Sequence, residues 1–442
     1  MQKKDYLCGL EKNDMMKRKG LIKTALCAML LLAGGTCEGQ SVRLARLKNR
    51  TDISLDLDRL YNYNNYEHNR WGLGFDVTVP LKYDERYGTL FQNLAIVAAY
   101  AGYGTADHAW KFGGSAGMLF PRSVVRGFHV MYQHDLLRVG SHSFDNYNLF
   151  NTSNNSSYFS SRYAGADVAS AVLQVDIPGP GELLLEYSHS RERYLFDAHG
   201  LLYPSRYEGD TMPYSVFNEV GLDLYWGKHW KLGLLANLRR EDPDRNLYNI
   251  LPGIHYVRLL VQYNNRIELK NNRGRLSLFA QGGAVLDDAP LSRRFDLGGT
   301  GGGRYYFNNT LLTVRPNTFM ADAFALASLR YTAGFNLWKS EISNPQPFVQ
   351  LGAVWGVLYG KDVVDGTKIV NLAPGSPIAI TAPFQGLLEP GIGIDKLLHW
   401  GVLDMGVAAA YQLTNKNSPY HLDNFFNKFA VMVVANLVIN KP

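Results

Sequence analysis

The sequence predicts an all-β chain, a transmembrane antiparallel outer-membrane β-barrel with 14 or 16 strands. Three observations point there. An export-type leader opens the 442-residue chain. Alternating segments of about ten residues recur after it, the length a tilted strand needs to cross a bilayer. Nowhere after the leader is there an uninterrupted apolar run of the roughly 18 residues a membrane helix needs. A chain of this kind enters a membrane as strands.

The leader is read from charge and size. Lys17, Arg18, Lys19 and Lys23 precede the apolar stretch Ala25 to Ala33, and small residues follow. These are the three regions of a secretory signal. Cys37 and Gly39 satisfy the small-residue rule for cleavage ahead of Gln40, so residues 1–39 are expected to be removed. Residues 1–14 are a polar extension ahead of Met15 and Met16. Thr36 before Cys37 does not fit a lipoprotein signal. Residues 40–69 are expected to form a short periplasmic lead-in, and residues 70–442 the barrel.

From Trp71 the odd positions Trp71, Leu73, Phe75, Val77 and Val79 are bulky, with Gly72, Gly74, Asp76 and Thr78 between them. One face suits lipid and the other a lumen. The same alternation sets Trp110, Phe112 and Met118 against Lys111 and Gly113, and Phe128, Val130 and Tyr132 against His129 and Gln133. It recurs with Leu183, Leu185 and Tyr187 against Glu186 and Ser188, and with Val220, Leu222, Leu224 and Trp226 against Gly221 and Asp223. Trp230, Leu232 and Leu234 then oppose Lys231 and Arg239, Val257, Leu259 and Val261 oppose Arg258, and Leu403, Met405 and Val407 oppose Asp404. The final segment, residues 429–439, is apolar on both faces and lacks a terminal aromatic.

Less regular segments at 93–103, 167–175, 275–284, 321–331, 347–357 and 386–394 complete the set. Bacterial single-chain barrels have even strand numbers, hence 14 or 16. Short links such as 227–229 read as periplasmic turns. The long polar stretches 141–158, 197–213, 287–316 and 359–382 read as surface loops, because unpaired backbone is not tolerated against lipid.

Cys8, Cys27 and Cys37 all precede the expected cut. A disulfide scaffold, a thiolate metal site and a cysteine nucleophile are thereby excluded from the mature part. The leader holds 7 of the 45 basic and 4 of the 39 acidic residues, leaving 38 against 35. That balance gives no footing for nucleic-acid binding. A soluble β-sandwich also alternates. The leader, the Gly-, Ser- and Ala-rich inner rows and the Trp and Tyr at segment ends favour the barrel.

Two stretches carry family resemblances. Tyr61-Asn62-Tyr63-Asn64, Arg70-Trp71-Gly72-Leu73-Gly74, Tyr100-Ala101-Gly102-Tyr103-Gly104 and Trp110-Lys111-Phe112-Gly113-Gly114 resemble the opening strands of the barrel in carboxypeptidase-regulatory-like domain proteins. Arg293-Arg294-Phe295-Asp296-Leu297-Gly298-Gly299, followed by Gly301-Gly302-Gly303-Arg304-Tyr305, resembles the late glycine-arginine loop of surface-antigen barrels, which include barrel-assembly insertases and two-partner secretion transporters. That resemblance implies that Gly298, Gly299, Gly303 and Arg304 form the loop motif, with Arg304 as the arginine folded into the lumen. Val125-Arg126-Gly127-Phe128 matches the tetrapeptide better but falls in an early strand, so it reads as coincidence.

Candidate chemistry is sparse. Asp107-His108 and His134-Asp135 are adjacent pairs, as are Ser188 and His189, and neighbours on a strand point to opposite faces, so none forms a dyad by itself. Gly298 to Gly303 lack the Lys-Ser or Lys-Thr of a phosphate loop, and no histidine pair has metal spacing. The polar residues expected to face the lumen are Asp76, Lys111, Glu186, Asp223, Lys231, Arg239, Arg258 and Asp404. Their mixed signs suit a tuned pore or ion pairs that fill the interior, and filling is favoured.

The resulting expectation is a non-enzymatic outer-membrane protein of transport or envelope biogenesis, with no cofactor. Its expected partners are outer-membrane lipid and, during biogenesis, the barrel-assembly machinery. A general or substrate-selective porin, an omptin-like surface hydrolase and a structural or adhesive surface protein are the alternatives.

Overall fold

Extended segments with bulky residues on one face can satisfy their backbone only through ladders to neighbours, and nearly every described element is a strand. The computed structural model describes residues 41–46, 51–56, 59–64, 66–81, 93–120, 123–138, 163–195, 214–238, 250–251, 255–287, 289–297, 311–314, 318–371, 377–400 and 403–437. The expected leader lies outside them.

The first strands are β1 (Ser41–Arg46), β2 (Asp52–Asp56), β3 (Tyr61–Asn64), β4 (His68–Pro80), β5 (Leu94–Gly104), β6 (Trp110–Leu119), β7 (Val125–Arg138) and β8 (Tyr163–Ile177). There follow β9 (Gly181–Leu195), β10 (Tyr214–Trp226), β11 (Trp230–Asn237), β12 (Ile250–Leu251), β13 (Val257–Leu269), β14 (Gly274–Leu286), β15 (Phe295–Asp296) and β16 (Met320–Ala321). The last are β17 (Ala323–Ala333), β18 (Gln346–Val357), β19 (Thr367–Asn371), β20 (Pro377–Thr381), β21 (Leu387–Trp400), β22 (Leu403–Tyr411) and β23 (Phe429–Leu437), with one helical turn, α1 (Phe425–Lys428), before β23.

Nineteen of these strands share one sheet. β2 and β3 both pair with β4, at its far and near ends, so they act as one interrupted strand. From there each strand pairs antiparallel with the next through β4 to β11, then β13, β14, β17, β18, β21, β22 and β23. Counted this way, sixteen strands run from β2/β3 to β23, the larger of the two expected numbers, and β1 adds a hairpin on the edge of β2. β12 pairs in parallel with the start of β10. Among the described residues no ladder joins β23 to β1, β2 or β3. The segment expected as a lead-in therefore supplies β1 to β3 and the opening of β4, and the sheet begins earlier than residue 70.

The two faces differ as the alternation requires. Trp71, Leu73, Phe75, Trp110, Phe112, Phe128, Val130, Leu185, Tyr187, Val220, Trp226 and Trp230 are exposed on the outer face. Arg70, Lys111, His129, Gln133, Asp135, Ser170, Ser188, Glu192, Glu219 and Arg258 are buried on the inner one. A soluble sheet would reverse this arrangement. No helix among the described residues is long and apolar enough to cross a membrane.

Most links at one rim are short, at residues 120–124, 178–180, 227–229, 270–273 and 401–402, with 81–93 and 334–345 longer, whereas most at the other are long, at 139–162, 196–213, 238–256, 287–322, 358–386 and 412–428, with 105–109 short. Short periplasmic turns and long outer loops give such barrels their orientation.

The main apolar core lies inside the barrel. Inner-face Phe217, Leu260, Phe279, Phe324, Leu326 and Val354 pack with Ala289, Leu291, Phe295, Leu297, Leu311 and Val314, which belong to the link between β14 and β17. This corrects the reading of residues 287–316 as a surface loop, since their described parts turn inward. Leu291, Phe295 and Leu297 are the apolar anchors that make this favourable, and they are too few and irregular to register as periodicity. Residues 359–382 likewise contain the β19–β20 hairpin, whose Ile378 and Ile380 join the same core. Stretches 141–158 and 197–213 lie outside the described residues.

Candidate functional site

The site is the interior segment and the wall residues that hold it. Beyond β14, Pro290 starts a single 3-10 turn, Leu291–Arg293, closed by hydrogen bonds from Arg293 N to Pro290 O and from Arg294 N to Leu291 O. The turn places two consecutive arginines against different walls.

Arg293 grips β9 and β10. Its Nη2 lies 2.6 Å from Glu192 Oε1 and 2.9 Å from Glu219 Oε2, its Nη1 3.1 Å from Glu192 Oε2, and its Nε 2.7 Å from Glu219 Oε1. One guanidinium thus meets two carboxylates, each by two bonds, a geometry available to Arg but not to Lys. Ser190 Oγ donates to Glu192 at 3.1 Å, and the Tyr256 hydroxyl donates to Glu219. Burial pushes the Tyr256 phenol well up, so it stays a donor. The ring of Phe217 lies 4.6 Å from the Arg293 guanidinium.

Arg294, 2% exposed, pairs with Asp322 at 2.7 Å and donates to Ala289 O at 3.2 Å. Asp322 also accepts from Tyr359 N at 2.8 Å, tying the root of β17 to the link after β18. Burial pushes its carboxyl up, with the Arg294 charge opposing. Phe295 then packs 4.7 Å from Phe324, with the Arg258 guanidinium 4.5 Å from its ring. Two glycines admit this segment. A Cβ on Gly283 would stand 2.7 Å from the Phe295 ring, and one on Gly356 would stand 2.7 Å from Leu297.

The returning arm is held from another wall. Glu389 of β21, 1% exposed, accepts from Leu312 N at 2.8 Å and from Thr313 N at 2.7 Å, and Thr313 Oγ1 donates to it as well. A carboxylate that would be costly to bury alone is satisfied by otherwise orphaned backbone donors.

A second buried network fills the lumen beneath β4 to β7. Arg70 donates to Glu67 at 2.8 Å and to Asp135 at 2.6 Å, Tyr100 donates to Asp135 at 2.7 Å, and Arg59 stacks 3.8 Å over the Tyr100 ring. Lys111 pairs with Glu67 at 2.8 Å and with Asp107.

The expected lumen residues distribute unevenly. Lys111 and Arg258 are buried in these clusters. Glu186, Asp223 and Arg258 line one small cavity with Gly221 and Gly233. Asp76 and Lys231 are half-buried. Asp404 lies in β22 opposite Asn436, while its side chain and all of Arg239 fall outside the described residues. Gly298, Gly299, Gly303 and Arg304 fall outside them too. Within the described part of this link, Arg293 and Arg294 are the arginines that reach into the lumen.

The adjacent pairs behave as strand geometry demands. His134 lies on the outer face, 2.7 Å from Asp167, while Asp135 points inward. Asp107 serves Lys111, and His108, at φ 51°, has its Nδ1 3.3 Å from the Tyr103 hydroxyl. His189 is outward and Ser188 inward. Among the described residues no three His, Cys, Asp or Glu side chains are grouped to hold a metal.

No protein-family model matches the chain, and no curated protein sequence matches it. Solved structures do. BamA from Haemophilus ducreyi lacking POTRA domains 1–3 superposes with a TM-score of 0.50 at 10% identity, over 91% of this chain and 76% of that one. The fold is that of an outer-membrane β-barrel. CdiB from Escherichia coli gives a TM-score of 0.43 at 10% identity, over 88% of this chain and 62% of its own, and CdiB from Acinetobacter baumannii gives 0.40 at 10%, over 85% and 58%. The chain thus spans about three fifths of each CdiB structure.

Proposed function

We propose that the chain is an exported, non-enzymatic outer-membrane protein that acts in transport or envelope biogenesis, as a surface-antigen-like barrel whose lumen is occluded at rest. The observation that carries this reading is the tethering of the β14–β17 link to Glu192 and Glu219 on one side and Glu389 on another. A segment bound into the lumen by buried charge at two walls narrows or closes the channel, which suits a barrel whose channel or wall is controlled. Surface-antigen barrels, which the same segment resembles, include insertases and secretion transporters, and the likeness to the BamA structure supports that choice of class. Its surroundings are outer-membrane lipid and, during assembly, the barrel-assembly machinery.

Depletion of the protein in its host, followed by quantitative comparison of outer-membrane proteins, surface-displayed proteins and envelope lipids, tests the reading. Loss of a defined set of these components is expected. A host altered only in uptake of small solutes would support a porin instead.

A further inference from the structure

Across β13, β14, β17 and β18 the outer wall sinks into a groove of about 1040 Å³. The register explains its floor. One outward row runs through Tyr263, Ala280, Ala327, Ala353 and Leu388, and the row above it through Val261, Gly282, Ala325 and Trp355. The middle positions of both rows end at Cβ or lack one. The row below, Leu278, Leu329 and Leu351, is bulky and forms one bank. Trp230 stands beyond Tyr263 at one end, and Trp355 and Leu388 stand at the other. A hydrogen bond from Trp355 Nε1 to Phe384 O at 2.9 Å fixes that ring.

Strand tilt makes such a row climb the wall. Trp230 directly follows the short link 227–229, whereas Leu388 is the second residue of β21, just past the long link 358–386, and bridges to Leu413. The groove thus ascends from the lower aromatic girdle to the outer rim. Trp230 and Leu388 are five strand spacings apart, roughly 24 Å. A tail from one leaflet, whose hydrocarbon is about 15 Å deep, fits within that length. Gln385, Thr414 and Asn415 border the groove at the outer rim. Gln281 turns its amide inward to Gln262 at 3.4 Å, which leaves the floor apolar.

An apolar groove open to a bilayer is filled by what surrounds it, because bare walls forgo dispersion contacts. Exposed Val349, Leu351 and Ile392 carry the lipid-facing belt on past it. A second copy would offer a convex wall that cannot enter a trench, whereas a flexible tail can. Apolar length ending in polar groups suits an amphiphile.

We propose that this groove binds an acyl chain of an outer-leaflet lipid, lying lengthwise with its headgroup at Gln385, Thr414 and Asn415. The site rests on the membrane placement and orientation of the barrel and is independent of the transport reading.

The test uses the full barrel in phosphatidylcholine nanodiscs and counts, by native mass spectrometry, the lipid kept through activation that strips the surrounding ring. Wild type is expected to keep one phosphatidylcholine. Ala327→Phe/Ala353→Phe, which fills the floor, should keep it roughly 10-fold less well, the worth of about two buried methylene groups. Ala99→Phe, at an exposed outward position of β5, should match wild type. A phosphatidylcholine with a photoreactive chain terminus should label Tyr263 and Ala280 of wild type well above Ala99 and Ala101. No lipid kept by wild type, or equal labelling of the two stretches, overturns the proposal whether or not the variants fold. So does equal retention by the filled variant and wild type, an equal loss in Ala99→Phe, or labelling centred on Leu388 and Leu413.

Discussion

Arg293 and Glu192 stand 101 residues apart in the chain, yet Nη2 of one lies 2.6 Å from Oε1 of the other inside the barrel. The contact joins a link to the wall rather than strand to strand, and it uses charge where the surrounding core is apolar. Removing one partner of such a pair strands the other.

Arg293→Ala is expected to leave Glu192 and Glu219 buried without their cation, at a cost of about 3–5 kcal/mol, felt as loss of the inner position of residues 289–297. Hydrogen exchange measured by mass spectrometry should show faster exchange in that stretch while β9 and β10 stay protected. Unchanged protection there would show that the apolar anchors suffice.

Glu389→Ala should free the returning arm by withdrawing the acceptor of Leu312 N and Thr313 N, with a smaller effect of about 1–3 kcal/mol. Limited proteolysis is expected to cut near residues 311–314 in the variant only. Glu389→Gln keeps one acceptor oxygen and should fall between the two.

Asp135 is the acceptor shared by Arg70 and Tyr100. Asp135→Ala is expected to destabilise the first strands by about 3–5 kcal/mol, and Asp135→Asn by less because one acceptor oxygen remains. The temperature at which the compact, fast-migrating gel band is lost reads this directly, and equal temperatures for Asp135→Ala and wild type would contradict it.

Leu222 lies midway between Asn218 and Trp226 on the outer face of β10. In a bilayer Leu222→Arg should cost about 2–4 kcal/mol, measured by denaturant titration in vesicles. A change below about 0.5 kcal/mol, the size usual for an exposed site in water, would argue against lipid contact.

Much of the sheet was legible because a strand with one apolar face writes its period into the sequence. Trp71 to Val79, Val220 to Trp226 and Met405 to Tyr411 each became part of a strand with its faces as expected. The interior segment was not legible, since Leu291, Phe295 and Leu297 bury themselves without any regular spacing, and a polar, glycine-rich link looks the same inside a barrel as outside it. Lys111 and Arg258 were found because they sit within alternating strands. Arg293 stands out in the sequence only within a resemblance, and nothing there marks its partners Glu192 and Glu219, because a lone carboxylate on a strand gives no hint of the cation that meets it. β1 to β3 were missed for a different reason: each is four to six residues long, too short to establish a period.

Planar-bilayer conductance of the refolded barrel tests the occluded lumen most directly, by comparing wild type with a variant in which residues 289–314 are replaced by a short polar link. Wild type should show no steady ohmic conductance, and the deletion should open one. A wild-type barrel that conducts as well as the deletion variant would contradict a lumen closed by the Arg293 segment.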